Sequence, residues 1–171
     1  MKANRRGNAT DLICEVPART PRQGEIVLAS GQASREAHEN LYHFGDGACI
    51  IAGEDIIGSV AELPDGLSRI HITAPWEDMV RLAVWKSDPA RGDIFLLLTS
   101  AGITVDQLHP FRESGISDIF PWLYYGRRLD VLRKICRVAK TNAEKHIRSK
   151  AAHVYCHLTS EATKSIVASS L

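Results

Sequence analysis

From Glu25 onward, short apolar segments alternate with longer ones whose apolar residues recur at helical spacing, and that alternation leaves few folds open to the chain. "EIVLAS" is an apolar run followed by Gly31, which suits a short buried strand. In "SREAHENLYHF", Ala37, Leu41 and Phe44 fall at i, i+4 and i+7 behind Ser34 as potential N-cap, and Gly45 and Gly47 stop the helix. "ACIIA" reads as the second strand. Asp55 can cap a helix whose Ile56, Val60 and Leu63 share one face, and "PDG" then makes a turn into the third strand, "RIHIT". "WEDMVRLAVWK" predicts a helix with Met79, Val80, Ala83 and Val84 inward, and "SDPARGD" is a loop. "IFLLLT" reads as the fourth strand.

A short helix from Val105 to Glu113, weakened by Pro110, the strand "SDIF" and a helix from about Arg127 complete five strand–helix units. Nearly continuous apolar strands alternating with helices predict a five-stranded parallel α/β sheet, doubly wound, whose ligands would sit beyond the carboxyl ends of the strands. Residues 1–23, with Pro17 and Pro21, read as an irregular N-terminal arm, and residues 24–139 as the sheet domain. Residues 140–171 read as a basic helical extension. There Ala143, Ile147, Ala151, Val154 and Leu158 mark one helix, and Thr159 opens a last short helix with Ala162, Ile166 and Val167.

"SDPARGDIFLLLTSAG" followed by "RESGISDIF" resembles the second half of a response-regulator receiver domain, and the order of elements over residues 24–139 is similar. The resemblance implies a flavodoxin-like strand order 2-1-3-4-5. It also implies an acidic pair after the first strand, a phosphoacceptor aspartate at the end of the third, a Thr or Ser after the fourth and a lysine after the fifth. Carboxylates would hold Mg²⁺, and metal and lysine would neutralise the transferring phosphoryl group. In this chain the corresponding positions are Ala29 and Ser30, then His71 or Ile70, then Thr99 with Ser100, then Trp122. The resemblance therefore implies a degenerate phosphoacceptor pocket, with no metal, no cofactor and no catalytic residue.

The implied role is that of a phosphorylation-independent pseudo-receiver, a regulatory protein in signalling or transcription. The alternative is a stand-alone pseudo-receiver that binds a protein or a small ligand without nucleic acid. The uncharged aromatic stretch Phe120, Trp122, Leu123, Tyr124 and Tyr125 is the expected interface, for a homodimer or a regulatory protein partner.

Net charge is +1, but it is segregated: +3 over residues 1–22, −9 over 23–125 and +7 over 126–171. Arg133, Arg137, Lys140, Lys145, Arg148 and Lys150 form a cationic stripe that could neutralise DNA phosphates. The surrounding sequence resembles pieces of a LuxR-type helix-turn-helix without its turn. The apolar run Ile94 to Leu98 is far too short to span a bilayer, and "MKANRRGNATDL" offers no signal-like stretch, so no membrane contact and a cytoplasmic location are expected.

Cys14, Cys49, Cys136 and Cys156 lie far apart and read as reduced, mostly buried thiols. His153, Cys156 and His157 would share a helix face at a spacing compatible with zinc, but they read as structural. "HPFRESG" begins like the Fic adenylylation motif without the anion cradle that should follow, and no Walker loop or GxGxxG occurs.

Overall fold

The computed structural model describes residues 24–44 and 49–171. The N-terminal arm read from the sequence, and Cys14 within it, lie outside the described residues.

Three of the expected strands form as read. They are β1 (Glu25–Ala29), β2 (Cys49–Ile51) and β3 (Arg69–Ala74). β1 pairs in parallel with β2 on one side and β3 on the other. Helix α1 (Gln32–Tyr42) connects β1 to β2, and α2 (Ile56–Ala61) leads to β3. The Asp55 side chain caps α2 by accepting from Ile57 N at 3.1 Å, and Ile56, Val60 and Leu63 are buried together as the spacing requires.

Between β3 and the next strand the regular structure is helical: α3 (Trp76–Val84), α4 (Arg91–Ala101), α5 (Val105–Leu108), α6 (Ile116–Tyr125) and α7 (Leu129–His146). The fourth and fifth sheet positions are filled by β4 (His153–Ser160), parallel to β3, and β5 (Ser165–Ser169), antiparallel to β4 with an irregularity at Leu158 and Thr159. The sheet order is thus 2-1-3-4-5, with an antiparallel last strand.

Three sequence expectations are corrected. "IFLLLT" is not a strand but the body of α4. The Asp93 carboxylate accepts from Ala90 N at 3.0 Å at its start, and Gly102, at φ 107, closes it in the left-handed conformation. A continuous apolar run does not distinguish a buried strand from a helix, and three consecutive leucines favour the helix. "SDIF" opens α6, where the Asp118 carboxylate accepts from Gly115 N and Pro121 lies in the helix interior. The segment carrying the receiver resemblance therefore forms helices rather than a strand, a turn and a strand.

The predicted C-terminal helices are replaced by strands. α7 ends at His146, and Ser149 ties the following loop down by accepting from Leu67 N and donating to Pro64 O. The β-branched and aromatic residues of "HVYCHLTS" then pair with β3, where packing against a formed strand outweighs the weak helical stripe.

Side chains alternate across the sheet, and the two faces differ in kind. Ile26, Leu28, Ile70, Ile72, Val154, Cys156 and Leu158 point toward α2, α3 and α7, where they meet Val60, Met79, Val80, Leu132, Ile135 and Ala139 in one apolar core. The other face carries His71, Thr73, His157 and Thr159 and is covered by α1. The inward side of α1 is Ser34, Ala37 and His38, while Leu41, expected inside, is 57% exposed. Cys49, Cys136 and Cys156 are free, and burial pushes the Cys136 thiol up to about 12, so it is unreactive.

In a strand, Leu96 and Leu98 would share one face. In α4, Leu98 is fully buried and Leu96 is 71% exposed. Leu98→Ala is therefore expected to cost about 3 kcal/mol in urea denaturation, and Leu96→Ala no more than about 0.5 kcal/mol. Equal losses would contradict the helix.

Candidate metal centre

The polar face of the sheet is built by two strands with the same local pattern, His71-Ile72-Thr73 on β3 and His157-Leu158-Thr159 on β4. In each, alternation sends the histidine and threonine to the α1 side and the aliphatic residue into the apolar core. The register pairs His71 with Tyr155 and Thr73 with His157, so the two histidines sit diagonally on adjacent strands. α1 lies across them. Ser34 Oγ and Thr159 Oγ1 are hydrogen-bonded at 2.8 Å, and Ala37, 1% exposed, keeps the helix close, which brings His38 down onto the pair.

His38, His71 and His157 are 1%, 7% and 0% exposed, and one ring nitrogen from each lies within 4.8 Å of the other two. The His71 and His157 rings stack at 5.3 Å with a 10° interplanar angle, and the His38 ring stands edge-on at 5.1 Å from His71. Tyr42, Phe44 and Tyr155 close around them, each with its centroid 5.0–5.6 Å from that of His71.

The outer partners fix the tautomers. His71 Nε2 faces the Glu25 carboxylate at 3.4 Å, which can only accept, so His71 carries its proton there and Nδ1 presents a lone pair. His157 Nε2 then donates to His71 Nδ1 at 3.0 Å, and His157 Nδ1 accepts from Ser169 Oγ at 3.1 Å. His38 Nε2 is buried without a hydrogen-bond partner, and so is Thr73 Oγ1. Buried polar atoms are nearly always paired. Two orphans on one small polar face mark it as built to receive something.

All three imidazoles are held uncharged. Burial and the neighbouring His71 lower His38 to about 4, and burial with His71 and His38 lowers His157 to about 3. Burial also lowers His71, against the opposing pull of Glu25. Neutral imidazole nitrogens are donors for Zn²⁺, Co²⁺, Ni²⁺ and Cu²⁺. A tetrahedral ion bound at about 2.0–2.1 Å needs ligand nitrogens about 3.3 Å apart; here they lie within 4.8 Å of one another, so loading requires the rings to draw together.

The expected phosphoacceptor pocket is not assembled. Ala29 ends β1, and Ser30 follows it, donating its hydroxyl to the Asp78 carboxylate. His71 is in the imidazole cluster, and Ile70 points to the opposite face. Thr99 and Ser100 lie on α4, which packs against α3, α5 and α7, and their hydroxyls donate to Leu96 O and Leu97 O within the helix. Trp122 is on α6 against Phe111, at 5.0 Å. His153, Cys156 and His157 do not share a face: His153 is exposed, and Cys156 and His157 point to opposite sides of β4.

Of the aromatic stretch, Leu123 is core and Phe120 packs on Trp76, while Tyr125 is 80% exposed. Arg133, Arg137 and Lys145 are exposed on α7, with Arg148 and Lys150 exposed in the loop beyond it. Lys140 faces Glu144 at 3.9 Å and stands over the Tyr155 ring. A cleft of about 470 Å³ at the carboxyl ends of β3 and β4 includes Trp76, Asp78, Arg81, Phe120 and Ser160 in its lining. Ser30 and Arg81 there engage both Asp78 carboxylate oxygens. Among the described residues, no helix is long and apolar enough to cross a membrane.

Sequence reasoning missed His38, His157, Ser169 and Glu25 as parts of one site. The readable signal was the repeated His-x-Thr on two otherwise apolar segments.

Because His38 and His157 are depressed below their ordinary value of 6.5, the unfolded chain takes up protons that the native state refuses. Their contribution to stability is complete above about pH 6.5 and falls as pH drops toward about 4 for His38 and about 3 for His157. Each removes about 1.4 kcal/mol per pH unit over its window. Urea titration is expected to record about 4 kcal/mol lost from the pair between pH 7 and pH 5. A His38→Gln/His157→Gln variant should lack that component; the same pH slope in the variant would assign it to other groups.

No family model matches the chain, and comparison with curated proteins and with solved structures finds no match either.

Proposed function

We propose that this α/β domain binds one divalent transition-metal ion, with Zn²⁺ as the best fit, through His38 Nε2, His71 Nδ1 and His157 Nε2. The observation that carries the reading is the convergence of three buried, uncharged imidazoles on one point, with His38 Nε2 left without any partner. The outer partners suit the same assignment. His71 coordinates through Nδ1 while its Nε2–H remains on Glu25, an arrangement that orients a ligating ring and raises its basicity. His157 must move its proton from Nε2 to Nδ1 in order to coordinate, and Ser169 Oγ, which donates to that nitrogen in the metal-free state, then accepts from it. Tautomer exchange along this short path lets the site load without placing a charged imidazole in the interior.

In this reading the domain is a regulatory module whose input is metal occupancy rather than an acyl phosphate. β1 ends at Ala29 and is followed by Ser30 and Gly31, where a receiver needs carboxylates, and β3, which follows α2, brings His71.

Metal-free protein titrated with Zn²⁺ and followed by calorimetry and elemental analysis should take up one ion per chain. The ion should also stabilise the fold, by about 2.7 kcal/mol when free metal is a hundredfold above Kd. His38→Gln and His157→Gln should each abolish tight binding. A folded His38→Gln protein with undiminished affinity would sink the assignment.

The outer partners give a graded test. Glu25→Gln and Ser169→Ala should each weaken zinc about 10- to 100-fold while leaving the stoichiometry at one. Wild-type affinity in both would remove them from the site.

A further inference from the structure

We infer that the fourth position of the metal is an exchangeable one, occupied by water or a small monoanion, and that the Thr73 hydroxyl is its hydrogen-bond partner. The inference rests on the three-histidine reading above, and three observations beyond that reading support it.

The first is charge. Three neutral imidazoles leave the full double charge of the ion inside a buried site. Among the described residues, the carboxylate in contact with the cluster is that of Glu25, which lies on the far nitrogen of His71 and also faces Arg69 at 3.8 Å, so it is committed to the outer shell. A bound anion, or a water that gives up a proton, reduces that charge where it arises.

The second is Thr73. Its side chain is fully buried, and Oγ1 has no hydrogen-bond partner. It lies on the cluster's face of the sheet, two residues beyond His71, and is the register partner of His157. A hydroxyl has one proton to donate and lone pairs to accept. It can therefore donate to a coordinated anion or accept from a coordinated water, and in either role its orphaned state ends.

The third is the wall. Tyr42, Phe44 and Tyr155 ring the cluster, and each is itself partly exposed, so the site borders solvent through aromatic edges instead of lying under the apolar core. Rings packed with centroids 5.0–5.6 Å from that of His71 favour a ligand of a few atoms over a larger one. The chemical class is accordingly a compact anion such as hydroxide, azide, cyanide or bicarbonate. A metal with three protein ligands and one exchangeable position is of the kind that activates water or holds a small substrate, in contrast to a closed structural site.

The test uses the full chain loaded with Co²⁺, whose visible absorption reports coordination number and ligand type, titrated with sodium azide. A saturable spectral change with one azide per cobalt is expected. Thr73→Val, which keeps the shape and removes the hydroxyl, should bind cobalt as the parent does and azide about tenfold more weakly. Thr73→Ser, which restores the hydroxyl, should return azide affinity to the parental value. Cobalt uptake by each variant shows that its site has assembled. Bound cobalt whose spectrum azide leaves unchanged would mean that the chain itself supplies the fourth ligand, and the inference falls while the metal reading stands. Equal azide affinity in the Thr73→Val protein would remove Thr73 from the role. Failure of the native chain to take up cobalt or zinc at all would bring down the three-histidine reading and this inference with it.

Discussion

The structure depends on the parallel pairing of β3 with β4. Six residue pairs, from Arg69 with His153 to Ala74 with Leu158, join segments that the whole run of helices α3–α7 separates in sequence. That pairing closes the apolar core on one side by bringing Val154, Cys156 and Leu158 under α7, and it assembles the polar face on the other by setting His157 beside Thr73. The side-chain period along a strand is two residues, so a register slip of one would carry His157 into the core and Cys156 out toward α1. Both faces would fail together. The core and the imidazole cluster are therefore specified by the same set of backbone hydrogen bonds.

The covering of the two faces follows from what each must bury. The apolar face takes the large helices, and its fully buried residues include Leu82, Leu98, Leu132 and Ile135. Among the described residues, the helix on the polar face is α1, whose buried side is serine, alanine and histidine. Such a helix offers little apolar area to hold it in place. Directed contacts do the holding instead: Ser34 with Thr159, Asn40 with Lys164 O, and Lys164 with Glu36. Tyr42 and Phe44 add ring contacts to His38. A weakly apolar lid over a polar floor is a locally costly arrangement, and the two orphaned atoms under it, His38 Nε2 and Thr73 Oγ1, are where that cost is concentrated.

The first half of the fold was legible because each of its signals is local. Gly31 after a short apolar run, Asp55 before Ile56 and the 79/80/83/84 face of α3 all depend on neighbours a few residues away. The second half was not, because its decisive term is the vacancy beside β3. "IFLLLT" and "HVYCHLTS" could each be drawn as strand or helix, and both carry aromatic and β-branched residues; three consecutive leucines favour the helix in the first, and the second is the one that pairs with β3 and β5. For the site, the resemblance places His71 in a phosphoacceptor pocket at the end of the third strand; it lies instead within β3, in the imidazole cluster. Its partners stay hidden in the sequence: the helical stripe places His157 on a helix, and His38 carries no signal of its own beside Leu41, which is expected inward and in fact faces solvent. Thr99 and Ser100, read as a switch hydroxyl pair, bond only within their own helix.

The long helical crossover also sets an order in time. When β3 leaves the ribosome, its free edge and His71 must wait for the 78 residues between Ala74 and His153, roughly 4 to 16 s at ordinary rates of synthesis. During that interval β1, β2, β3 and α1 can assemble with His38 and His71 in place but with His157 absent. On the three-histidine proposal, a two-histidine half-site of this kind would hold a metal only loosely, and the arrival of β4 would make retention possible. Under that proposal, selection among metals would fall to the finished sheet rather than to the nascent chain.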